Sequence, residues 1–73
     1  SPNPVRTNLR ISFGRPGRRD LTLVSSTGAI ARRISATEAL QLNMDVASLP
    51  RGIYLILVYE GGRVSAQEKV VLE

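Results

Sequence analysis

Cysteine, histidine and tryptophan are all missing from this chain of 73 residues, and methionine and phenylalanine occur once each. Without cysteine no disulfide can staple a small fold, so its stability has to come from strand pairing and aliphatic packing. Without histidine or cysteine the commonest general base, the soft metal ligands and any thiol nucleophile are gone. The serines at 25, 26, 35, 48 and 65 fall at turns or strand ends with no base to activate them, and Lys69 has no serine at a spacing that suggests a Ser-Lys dyad. The six carboxylates are scattered singly, so neither a glycosidase pair nor a calcium loop can be drawn. The glycines compose neither a phosphate loop nor a dinucleotide fingerprint. No enzymatic activity, cofactor or metal is expected.

Long apolar runs are lacking as well. The longest, residues 53–59, falls far short of the ~20 residues that carry a helix across a bilayer, and the N-terminus does not resemble a signal peptide. The expectation is a soluble, monomeric segment without a transmembrane span; if the intact protein is exported, its signal peptide lies upstream of Ser1. A chain this short supports one core, so residues 1–73 read as a single domain, with residues 1–7 as its linker entry.

What is present is alternation with a period of two. Leu9, Ile11 and Phe13 alternate with Asn8, Arg10 and Ser12, which places apolar side chains on one face of a first strand. Gly14-Arg15-Pro16-Gly17 interrupts the pattern, and Leu21 and Leu23 resume it around Thr22 as a second strand. Ser25-Ser26-Thr27-Gly28 reads as a tight turn, with short hydroxyls able to bond nearby backbone and Gly28 free to take a positive φ. Ile30 and Ile34 make a weaker third strand.

Residues 35–48 set a helix against a strand. Ser35-Ala36-Thr37-Glu38 matches a capping box, with Ala36, Leu40, Met44 and Ala47 as a helical stripe. Yet Leu40, Leu42, Met44 and Val46 alternate without error against Gln41, Asn43 and Asp45, and a helix would leave Leu42 and Val46 off its apolar face. The strand is preferred. Leu49-Pro50-Arg51-Gly52 then reads as a turn, and residues 53–59, apolar on both faces, as a central strand covered on both sides. Gly61-Gly62 suits a two-residue hairpin, from which residues 64–72 run back antiparallel. Six or seven such strands spell a small Ig-like antiparallel β-sandwich.

Charge is unevenly spread. Nine of the ten basic residues are arginine, and seven of these precede residue 34 against the single acid Asp20. Such a cationic half can mark a surface for nucleic acid or anionic lipid. A solvated sheet face is the preferred account, because no aromatic is interleaved with the arginines and no nucleic-acid motif accompanies them. No nucleic-acid partner is expected.

The order of the turn motifs is more specific. Pro2-Asn3-Pro4-Val5, Leu9-Arg10-Ile11, Leu21-Thr22-Leu23 leading to Thr27-Gly28, the stretch from Met44 through Asp45, Val46, Leu49, Pro50, Arg51, Gly52 and Ile53 to Tyr54, and Lys69-Val70-Val71 follow one another along the chain. In this the whole chain resembles the C-terminal sorting domain of the type IX secretion system, type A, of the Por secretion family. The L-P-x-G-[IV]-Y stretch carries the likeness most specifically. Ser25 stands where that family usually has Asp, Ser26 and Ala29 replace larger or charged neighbours, and the chain closes on Leu72-Glu73 rather than on Lys or an aliphatic residue.

The resemblance implies a secretion signal in Bacteroidetes-type bacteria. Fused to an N-terminal cargo, such a domain passes through the periplasm, is recognised by an outer-membrane translocon, and reaches the cell surface or the medium. A surface sortase-like cysteine peptidase then removes it and joins the cargo to anionic lipopolysaccharide. Translocon recognition is expected at Lys69, Val70, Val71 and Gly28, with Pro2, Asn3, Pro4, Leu49, Pro50, Gly52 and Tyr54 as structural motif residues. Each has a plainer account: Pro4 and Asn3 deliver the chain into its first strand, Gly28 makes a turn, Tyr54 is a core aromatic with a bonded hydroxyl, and Lys69 is a solvated strand position. The rival functional reading is an Ig-like or fibronectin-like accessory module of a surface enzyme or adhesin, binding carbohydrate or acting as a spacer.

Overall fold

In a computed structural model, which describes residues 6–73, alternation has become strands throughout. They are β1 (Asn8–Ser12), β2 (Arg19–Ser25), β3 (Ile30–Thr37), β4 (Gln41–Asp45), β5 (Gly52–Glu60) and β6 (Arg63–Leu72). Four of them form an antiparallel sheet in the order β3-β2-β5-β6, and β1 pairs with β4 in a second, two-stranded sheet. The result is a small all-β sandwich with no helix among the described residues, consistent with an Ig-like architecture. Pro2, Asn3 and Pro4 lie outside the described residues.

Register explains the core. Leu21 and Leu23 of β2 stand opposite Val58 and Ile56 of β5, and Tyr54 of β5 stands opposite Val70 of β6, so all share the inner face of the large sheet. Leu9 and Met44 face them from the paired strands of the small sheet. Val46 and Leu72 complete the buried cluster, and Ile11, Phe13, Ile34 and Leu42 pack around its edge. Leu21, Leu23 and Val46 are fully buried, so truncating any of them opens a cavity in a core with little to spare.

Residues 41–45 are a strand, as their alternation predicts, and not part of a helix, because pairing with β1 satisfies the backbone of β4, buries Met44 and half-buries Leu42. Leu40 departs from the expected pattern: it is 53% exposed, just before β4, while its carbonyl accepts from the Phe13 N–H at 2.9 Å. Ile30 is 54% exposed because a register shift between Leu23 and Val24 turns it to the outer face of the large sheet. The turn near Pro50 also shifts. The Leu49 N–H donates to the Val46 carbonyl at 3.1 Å, so the backbone bond closes over residues 46–49, and the Asp45 carboxylate braces it from the Ala47 N–H at 3.0 Å.

The largest correction concerns β5. It is central in its sheet, but only its inner face, Tyr54, Ile56 and Val58, is buried. Leu55, Leu57 and Tyr59 are half-buried on the outer face, and Ile53 is 52% exposed. The domain has one layer too few to cover a strand that is apolar on both sides.

Candidate recognition surface

Among the described residues, β6 is the outermost strand of the large sheet and pairs with β5. Residues 63–69 are exposed and Val70 and Leu72 are buried, so the strand leaves the hairpin as an open ribbon and ends anchored in the core. Lys69 pairs with Leu55 and Val71 with Ile53, which sets both on the outer face, whereas Val70 pairs with Tyr54 and is 1% exposed. Of the three adjacent residues expected to be recognised, two share a surface and the third is packed inward.

Gly28 lies in the β2–β3 turn, closed by the Gly28 N–H to the Ser25 carbonyl at 2.9 Å and the Ser25 N–H to the Ala29 carbonyl at 2.8 Å. The Ser25 hydroxyl accepts from the Ala29 N–H at 3.2 Å and bonds the Thr27 hydroxyl at 2.9 Å, so it braces the turn locally. Ser25 is in register with Tyr54, and Tyr54 with Val70, so the turn and the end of β6 occupy one end of the sheet, with β5 between them. The motif residues gather here too. Tyr54 is buried with its hydroxyl donating to the Pro50 carbonyl at 2.6 Å, Leu49 packs against the core, and Gly52 opens β5 at φ +144°, a backbone setting that side chains resist.

Three arginines that no motif singled out hold this architecture together. Arg51 donates through Nη1 to the main-chain oxygens of Arg6 (2.7 Å) and Glu73 (3.3 Å), and through Nη2 to those of Val46 (2.6 Å), Leu49 (2.6 Å) and Ala47 (3.3 Å). Its Nε also reaches the Leu49 carbonyl at 3.1 Å. One guanidinium thus joins the chain entry, the 46–49 turn and the end of β6. Arg19, 3% exposed, donates to Glu60 Oε2 at 3.0 Å and to the carbonyls of Arg15 (2.6 Å) and Gly17 (3.2 Å), with its guanidinium carbon 4.1 Å from the Phe13 ring centroid. Arg32 reaches from β3 to the Asp45 carbonyl at 3.3 Å and the Ser48 hydroxyl at 3.0 Å, tying the two sheets together.

Within the cationic half, Arg19 and Arg32 thus serve the fold. Arg15 also reaches Glu60, at 3.5 Å, and the Arg19 hydrogen bond leads the causes that hold the Glu60 carboxyl below its ordinary value. Of the others, Arg10 projects from the outside of the small sheet and Arg33, opposite Thr22, from the outside of the large one, on opposite sides of the sandwich. Sequence gave little signal for the carbonyl-binding arginines, since their acceptors come together only through the fold; the nearest hint was a cation inside a proline turn. Among the described residues no group of acids that could hold a metal is found, and no helix is long and apolar enough to cross a membrane.

The fold is a small β-sandwich whose turns are braced by side-chain hydrogen bonds to backbone oxygens. The sequence model of the family described as "Secretion system C-terminal sorting domain" matches residues 1–73, and the chain belongs to that family. It is a C-terminal sorting signal of the type IX secretion system, fused to cargo on its N-terminal side and directing export toward the cell surface or extracellular space. No curated protein and no solved structure matches the chain.

Proposed function

We propose that the domain is read as a folded unit by the outer-membrane translocon, through the end of the large sheet where Lys69 and Val71 share a face and the Gly28 turn lies close by. The observation that carries this reading is the family match over residues 1–73, joined to a register that keeps Lys69 on the surface while Val70 and Leu72 lock its strand in place. The cargo crosses the periplasm with the domain attached, and at the surface of a Bacteroidetes-type cell a sortase-like cysteine peptidase cuts upstream and releases it. The domain acts as a monomeric substrate of that machinery and contributes no catalytic group.

The test is a reporter bearing a signal peptide, followed by residues 1–73, expressed in a type IX host. The reporter is expected at the surface or in the medium, and Lys69→Ala is expected to lower export about tenfold, the cost of ~1.4 kcal/mol of binding, with thermal melts read alongside to establish that the variant domain is folded. Periplasmic retention of the wild-type fusion with a folded domain overturns the reading; undiminished export of the Lys69→Ala variant removes Lys69 from it.

A further inference from the structure

β3 pairs with β2 through two register shifts, one between Arg19 and Leu21 and one between Leu23 and Val24, each with an extra residue on β3. Bulges of this kind raise the local twist and re-aim side chains. Here they bracket a hollow of about 340 Å³ on the outer face of the large sheet. Asp20 and Ser35 stand at the first shift, and Val24 and Ile30 at the second. Between them Thr22 is paired with Arg33, and Tyr59, opposite Asp20 in register, closes the side toward β5. Thr22 is only 8% exposed and forms the floor, while Asp20, Arg33 and Ser35 are exposed around the rim.

The lining decides what fits. Arg33 offers donors and no acceptor, Asp20 accepts, and the hydroxyls of Thr22, Ser35 and Tyr59 do both. Beside them the Tyr59 ring, Val24 and Ile30 supply apolar surface. A lipid chain would take water from the charged rim and give nothing in return. A small anion gains from Arg33 but meets Asp20 in the same hollow, and a small cation meets the reverse. A sugar ring satisfies both halves, because its hydroxyls donate and accept while its C–H face lies on aromatic or aliphatic side chains. Asp20 can serve a ligand hydroxyl and still keep a bond within the protein, since a carboxylate has about four acceptor sites.

We infer that this hollow is a binding site for a neutral saccharide. Tyr59, Val24 and Ile30 receive the face of the ring, and Arg33, Asp20 and Ser35 bond its hydroxyls. The site lies on β2, β3 and β5, apart from Lys69 and Val71 on β6, and its test does not pass through export.

The experiment is an amide NMR titration of the 73-residue chain with methyl glucoside, methyl galactoside, maltose and N-acetylglucosamine, and with glucuronate and glucosamine as charged counterparts. At least one neutral sugar is expected to shift the amides of Thr22, Arg33 and Tyr59, with a dissociation constant on the order of 1 mM, as about a dozen heavy atoms reach in an open site. Arg33→Ala and Tyr59→Leu are each expected to weaken that binding about tenfold. Amide dispersion reports whether each variant is folded; should Tyr59→Leu not fold, Ser35→Ala, at an exposed position, takes its place with a loss of about threefold. No response of these amides to any neutral sugar overturns the site. Binding of glucuronate or glucosamine alone also overturns it, leaving a charge site at Arg33 or Asp20. So does binding of a neutral sugar that Arg33→Ala, or the second folded variant, leaves unchanged.

Discussion

Arg51 sits between Pro50 and Gly52 and bonds the main-chain oxygens of five residues. A lysine keeps the charge but offers a single nitrogen in place of a planar fork. Arg51→Ala is expected to cost about 2 kcal/mol, and Arg51→Lys to recover less than about half of it; urea unfolding of the isolated domain measures both. Glu60 gives a pH signature. Its carboxyl, held below the ordinary 4.5 first by the Arg19 hydrogen bond and then by the charges of Arg19 and Arg15, favours the fold while ionised. That contribution is complete above the ordinary value and is lost as pH falls through the lowered one. Glu60→Gln is expected to flatten this part of the acid limb of stability in thermal melts, with little change in its slope near neutrality.

Among the elements, the β5–β6 hairpin is the most tightly specified by local sequence. Gly61 and Gly62 both take positive φ, +60° and +79°, as a two-residue turn between right-twisted strands requires. A Cβ at Gly62 meets nothing within 4 Å, so the cost of Gly62→Ala is confined to backbone conformation. It is expected to be about 1 kcal/mol, whereas Gly14→Ala, with equally open space and no positive φ in that range, is expected to be neutral or slightly stabilising in the same chemical-denaturation series. Strand positions were legible in the sequence for a related reason: alternation at Leu9, Ile11, Leu42 and Met44 records which side of a pleat is dry. Ile30 and Leu40 misled because a bulge and a strand end reset the side a residue faces, and neither leaves a local mark.

At the scale of the whole molecule, the sequence revealed the all-β class and the central place of β5, but not how far its outer face would be covered. Apolar residues on both sides of Leu55 and Leu57 state a preference for burial without saying whether this chain meets it. The site was legible in the same partial way. Lys69 and Val71 could be marked from the closing motif, but their separation from Val70 needed the register with β5, and Arg51 needed acceptors brought together from residues 6 to 73. That gathering has a mechanical consequence. Arg6 and Glu73 are held by the same Nη1, so a load pulling these two points apart strains this guanidinium. Beyond it lie the start of β1 and the end of β6, which belong to different sheets, so the force peels each sheet one residue pair at a time from the same end instead of shearing a whole ladder at once. Under a load between Arg6 and Glu73 the two sheets are therefore expected to open stepwise from the side where these residues meet.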